Sequence, residues 1–189
     1  MKTKITFNKV KLALGSDLVI TTKATSVFHK LIGFILSLRG NEAYMTQFVT
    51  VIGKYMAVPT EADKFRYKSS EGMHVIDLAL LLHEHTHRKR SFPLPILWSL
   101  KYLLSPKFRA NEELEAYKTT LLVHYLFDNQ FDAQSYISTI PPLLEKFYFI
   151  PSKHLKNISS DLSFYFSSIQ NERYREDDHP IVIFLKTNI

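Results

Sequence analysis

Leu80-Leu-Leu-His-Glu-His-Thr-His87 reads as the metal-binding stretch of an α-helix. His83 and His87 are four residues apart, so a helix points both imidazoles the same way. Glu84 follows the first of them and completes the pattern H-E-x-x-H. Two neutral ring nitrogens at that spacing suit a zinc ion, and the carboxylate beside them is placed to take a proton from a water. Random placement would give roughly 0.02 such matches in a chain this long, so the spacing carries information.

Working outward, the helix is expected from about Glu71 or Gly72 to Arg88. Met73, Ile76, Leu80, His83 and His87 repeat at steps of three and four and form one inward stripe. Val75, Leu78 and Leu82 add a second apolar face, so the helix should be covered on both sides. His85 points roughly 160–200° away from its neighbours and is expected behind the ligands or at the surface, not on the ion.

Upstream, Gln47–Ile52 and Tyr55–Val58 are two β-type runs around Gly53-Lys54, which reads as a hairpin or one interrupted strand. Asp63 to Glu71 is polar and reads as a loop. Val27, Leu31, Ile32, Ile35 and Leu38 follow helical spacing, so Thr25 to Arg39 is expected as helix. Residues 1–23 alternate through Ile5, Phe7, Val10 and Leu12 and suggest a short strand.

Downstream, Ser91-Phe-Pro-Leu-Pro95 should break the helix. Ile96–Leu104 predicts a short helix carrying Trp98, and Phe108–Phe127 a long one ending before Asn129. Pro141-Pro142 is expected to divide Asp132–Ile140 from Leu143–Phe149. Asn157–Ile169 reads as helix, Arg173–Asp178 as a charged loop, and Ile181–Leu185 as a strand or docked tail.

The 189 residues suit one domain, 1–189, with a sheet-bearing part over about 1–90 and a helical part over about 91–189. A hydrophobic fraction of 46% with 22% charged residues excludes a disordered chain. There is no cysteine, so disulfides and thiolate ligands are excluded and any metal site must use His, carboxylate and water. The net charge of +6 reads as a solvated basic surface: there is no Gly-rich phosphate loop and no zinc-finger spacing, and neither nucleic acid nor membrane is expected as a partner. Lys9, Lys11 and Asp17 interrupt the apolar residues near the start, so no signal peptide is expected and the cytoplasm is the default.

Two histidines of one helical turn need a third protein ligand, leaving one position for water. The best source is Asn111-Glu-Glu-Leu-Glu-Ala-Tyr117, which begins 24 residues after His87. Glu112, Glu113 and Glu115 are the candidates there; Glu113 and Glu115 face about 200° apart, so only one of them can meet the ion. A solvated acidic face near a helix start is the plainer explanation of such a cluster. His124 and His74 lie too far along their helices, at roughly 16 Å and 13 Å, to join the shell. His29, His154 and His179 have no partner pattern.

H-E-x-x-H followed on a second helix by E-x-x-A resembles the gluzincin class of zinc metallopeptidases, and Glu113-Leu-Glu-Ala116 matches that second motif. The order of motifs over about residues 46–120 is similar to that of small metallopeptidases of tailed bacteriophages. The resemblance implies an α+β, mainly helical fold: a minimal zincin-like domain with a small sheet on the H-E-x-x-H helix and a helical C-terminal half. It also implies one Zn²⁺ held by His83, His87 and Glu113, with Glu84 as general base for hydrolysis of a peptide or protein substrate. Glu115 and Glu112 remain the alternatives for the third ligand. In larger gluzincins an acid often sits four residues after the ligand; here that residue is Tyr117. Tyr55, Met56, Ala57 and Val58 are the expected edge strand against which extended substrate pairs. The competing expectation is a zinc-stabilised binding or virion protein with the same core and no turnover. For a phage-encoded chain, host cytoplasm and virion are the expected locations.

Overall fold

The computed structural model describes residues 3–13, 17–37, 43–67, 72–171, 184, 185 and 187. Its element order is α1 (Phe7–Ala13), β1 (Val19–Thr22), α2 (Val27–Ser37), β2 (Thr50–Ile52), β3 (Tyr55–Val58), α3 (Glu61–Tyr67), α4 (Val75–Ser91), α5 (Pro95–Leu104), α6 (Pro106–Phe127), α7 (Ala133–Tyr148) and α8 (Ile158–Gln170). The fold is α+β and mainly helical, with one small sheet, as the sequence implies.

β2 and β3 form the expected hairpin, pairing antiparallel with Val51 opposite Met56. Gly53 makes the turn at φ +57°, in the left-handed region that glycine tolerates best. β1 joins β3 in parallel, so the strand order is β1-β3-β2. That order corrects the expectation for Tyr55–Val58. β3 is the central strand, with its backbone engaged on both sides, and Met56, Ala57 and Val58 are fully buried. It has no free edge to offer a substrate; the sheet's edges belong to β1 and β2.

Two more local expectations change. The short strand expected within residues 1–23 forms at Val19–Thr22, but Phe7, Val10 and Leu12 of the alternating run sit on a helix, with Phe7 and Val10 buried three residues apart. The stretch read as loop from Asp63 starts as helix α3, whose N-terminus is closed by a capping box. Asp63 Oδ2 accepts from the Thr60 amide (3.0 Å) and hydroxyl (2.7 Å), and Thr60 Oγ1 accepts from the Asp63 amide (3.2 Å).

α4 is pinned at its start by the N-terminal segment. The Thr3 amide donates to the Met73 carbonyl and the Met73 amide to Ile5. Gly72 allows this approach, because a Cβ there would lie 1.9 Å from the Thr3 carbonyl oxygen. The helix then runs three residues past Arg88 and stops at Phe92-Pro93. Its inward stripe is less regular than its spacing implies: Ile76 is 63% exposed, whereas Leu78, Leu81 and Leu82 are buried with Leu122 and Val123 of α6. α6 begins at Pro106, two residues before the expected Phe108, because Ser105 Oγ caps it by accepting from the Phe108 amide (3.2 Å). Contacts from His83 to Thr120 and from Arg90 to Glu112 show that α4 and α6 run antiparallel.

A second core cluster joins α6, α7 and α8 through Leu121, Ile137, Ile140, Leu144 and Leu162. Here the prolines do not divide the chain: α7 is one helix with Pro141 and Pro142 inside it. Ile137, Ile140 and Leu144 stay on one buried face, and that packing outweighs the backbone hydrogen bonds two prolines forfeit. The expected charged loop at 173–178 and residues 181–183 lie outside the described residues; Phe184 and Leu185 are buried in the first core cluster.

Candidate metal centre

The polar end of the α4–α6 seam brings together the three side chains singled out as ligands. His83 Nε2 lies 3.5 Å from Glu113 Oε2, and His87 Nε2 lies 3.3 Å from Glu113 Oε1. One ligand atom from each residue falls within 4.8 Å of the others, and all three residues are buried. Ligands about 2.1 Å from a tetrahedral ion sit about 3.4 Å apart, so these separations fit a metal between them. This group could hold a metal ion.

Proton accounting points the same way. The Thr120 hydroxyl donates to the Ala116 carbonyl (3.3 Å), so its oxygen accepts from His83 Nδ1 at 3.2 Å. In a neutral ring that leaves Nε2 as a lone pair aimed at a carboxylate. Glu113 Oε2 has no hydrogen-bond partner although it is buried. The pair asks for positive charge between the two atoms, supplied by a proton on the imidazole or by a metal ion. Burial opposes the Glu113 charge, but the His87 and His83 imidazoles hold this carboxyl well below the usual carboxylate range.

Neighbours on two elements, α5 and α6, brace these three side chains. The Tyr102 hydroxyl, on α5, donates to Glu113 Oε1. The Tyr117 ring meets His83 edge-on at 5.0 Å, filling the place where an acid was noted as absent. The Trp98 ring lies 5.7 Å from that of His87. The two alternative ligands are engaged elsewhere. Glu112 takes a two-pronged bond from Arg90 (2.7 and 2.9 Å) and a third from Trp98 Nε1 (3.2 Å). Glu115 pairs with Lys118 at 2.7 Å. His124 is stacked on Phe131, and His74 is exposed at the start of α4. His85 is buried, which narrows the expectation to a place behind the ligands.

Glu84 stands beside the ligands without joining them. Its Oε2 accepts from the Val51 amide of β2 at 3.2 Å, which ties the carboxylate to the sheet. Burial raises its pKa to about 7 despite the opposing pull of the nearby His83 imidazole, with the Glu113 charge adding to the rise. Behind it lies a group that gave no signal in the sequence. Lys23 is fully buried, donates to the Tyr44 carbonyl at 2.6 Å and sits 3.6 Å over the Tyr44 ring. Burial brings its pKa down to about 7, against the pull of Glu84. His29 Nδ1 lies 2.8 Å from the Tyr44 hydroxyl, and burial together with the Lys23 charge lowers its pKa to about 4.

Glu84, His87 and Glu113 form one wall of a cavity of about 170 Å³. Most of the rest is aromatic and aliphatic: Phe48, Val49 and Val51 from the β2 side, Trp98 and Leu103 from α5, and Phe147 to Phe149 from the end of α7. Arg109 also lines it, but donates to the Tyr102 and Leu103 carbonyls, holding the end of α5. Comparison with protein families, with curated proteins and with solved structures finds no match to this chain.

Proposed function

We propose that the protein is a zinc-dependent peptidase, with His83, His87 and Glu113 as the metal ligands and Glu84 as the general base. The observation that carries this reading is the position of Glu84: buried, tied to Val51, and on the wall of a cavity that His87 and Glu113 also line. A purely structural zinc site has no use for a fourth, unligated carboxylate facing a cavity. The bound ion would supply Lewis acidity, polarising the scissile carbonyl and making a nearby water acidic.

The chain's own residues do the rest. Glu84 takes a proton from the attacking water as its oxygen bonds to the carbonyl carbon, then delivers that proton to the amine nitrogen as the C–N bond breaks. Thr120 keeps the His83 ring oriented through Nδ1, and Tyr102 holds Glu113 in place. The substrate main chain runs along β2, where Val49 to Val51 line the cavity. An apolar cavity of about 150 Å³ accommodates benzene, so the space here fits one aromatic or large aliphatic side chain next to the scissile bond.

Glu84→Gln tests the reading. Zinc content by elemental analysis should stay at the wild-type level, and hydrolysis of a mixed peptide library should fall by about 10²–10⁴-fold. Undiminished cleavage by that variant would sink the proposal.

A further inference from the structure

Between Glu84 and Glu112 the chain carries no acidic residue and six basic ones: Arg88, Lys89, Arg90, Lys101, Lys107 and Arg109. Arg88 bonds Asp17, Arg90 bonds Glu112, and Arg109 is held by carbonyls. Lys89, Lys101 and Lys107 are exposed. The same segment contains α5, whose ten residues include none that is buried.

At 100° per residue, α5 divides cleanly. Trp98, Ser99 and Tyr102 face the cavity. Leu103 sits at the edge of that inner face, and Ile96, Leu100, Leu104 and Leu97 follow one another around an outer arc of about 100°. Ile96 is 78% exposed and Leu104 80%, and Phe92, just before the helix, is 80% exposed. A helix apolar on every side ordinarily lies in a core. This one has an inner face on the cavity and an exposed aliphatic outer one, with Lys101 on the helix itself and Lys89 and Lys107 on the helices that flank it in sequence.

We propose that α5 is an interfacial helix that docks the protein on an anionic lipid surface, outer stripe towards the acyl chains and Lys89, Lys101 and Lys107 among the headgroups. Charge complementarity selects this occupant. A second copy would bring the same lysines and the same net charge of +6 against them. A protein groove would favour Trp, Tyr or Arg anchors, and the stripe is leucine and isoleucine. Ten residues reach only about 15 Å, too short to cross a bilayer, and among the described residues no helix is long and apolar enough to do so. Lying in the interface requires an apolar face and adjacent basic residues, and α5 has both. Docking would place the cavity one helix width, about 10 Å, from the headgroups. None of this depends on metal or on turnover.

Co-sedimentation with vesicles tests it, using phosphatidylcholine mixed with phosphatidylserine against phosphatidylcholine alone. The wild-type protein should partition to the mixed vesicles at least about tenfold better, given roughly fivefold per lysine near an anionic surface. Leu100→Gln with Leu104→Gln should lose about tenfold or more on the mixed vesicles, with the circular dichroism spectrum unchanged, because both side chains are solvent-facing. Lys101→Gln with Lys107→Gln should erase most of the preference for phosphatidylserine and the sensitivity to salt. Three results would each overturn the proposal: no sedimentation with either vesicle, equal binding to both, or equal binding by the leucine variant. So would light scattering that shows a dimer which the leucine variant dissolves, since the stripe would then be an interface between copies.

Discussion

Helices α4 and α5 depart from the rule of apolar inside and polar outside in opposite directions. In α4, twelve of seventeen residues are buried, and seven of those are polar: Asp77, His83, Glu84, His85, Thr86, His87 and Ser91. In α5 no residue is buried, and the exposed outer stripe is leucine and isoleucine. Each departure costs stability that a plain helix pair would keep. The cost in α4 is offset by mutual satisfaction, as when the Thr86 hydroxyl donates to Leu82 and meets Thr119 at 3.0 Å. Nothing within the described residues offsets the cost in α5. Most of the buried polarity finds partners inside the molecule, with Asp77 Oδ2 and His87 Nδ1 the exceptions among the buried residues of α4; exposed apolarity waits for one outside it.

The contrast can be broken at its strongest point first. Glu113→Gln should abolish zinc retention after dialysis, whereas Thr120→Val, which removes only the bond to His83, should weaken zinc by about 10–100-fold. Equal retention by all three proteins would show that the buried polar cluster is no metal site. Next comes stability. Leu81→Ala in the α4 core should cost about 2–5 kcal/mol in denaturant unfolding, and Leu100→Ala in α5 should stay within about 0.5 kcal/mol. Similar losses at both positions would mean that α5 is covered after all.

The smallest effect sharpens the picture around Glu84. Lys23 has a folded pKa of about 7 against an ordinary 10.5, so the unfolded chain holds the extra proton between those values. Stability attributable to this residue is therefore lowest below about pH 7 and recovers as pH rises toward 10.5. Lys23→Met should raise the Tm by a few degrees near neutrality, and the gap to wild type should narrow as the solution becomes alkaline. A gap that widens with pH would mean that the lysine is stabilising in its charged form.

How much of this was readable follows from how local each feature is. His83, Glu84 and His87 are fixed by one helical turn, so spacing alone gives their relation. Glu113 depends on a second motif and on two helices meeting, and the antiparallel packing of α4 on α6 supplies the meeting. Lys23, Tyr44, Tyr102 and Thr120 carry no pattern that marks them, because their roles come from chain segments far apart in sequence. Tyr55–Val58 was legible as a strand but not as the middle one, since parallel pairing with β1 is a long-range choice. The errors at α3 and α7 differ in kind. Thr60-x-x-Asp63 is a local start signal present in the sequence, while the helix through Pro141-Pro142 exists because of core contacts that local propensity cannot express.

Trp98 gives the molecule its own optical gauge. It is the chain's sole tryptophan, it faces His87 across 5.7 Å, and its indole N–H is held by Glu112. Its fluorescence is thus wired to one of the two imidazoles that an ion would engage and to the helix that a lipid surface would touch. Loading and docking can be followed by emission alone, without attaching a dye to either face.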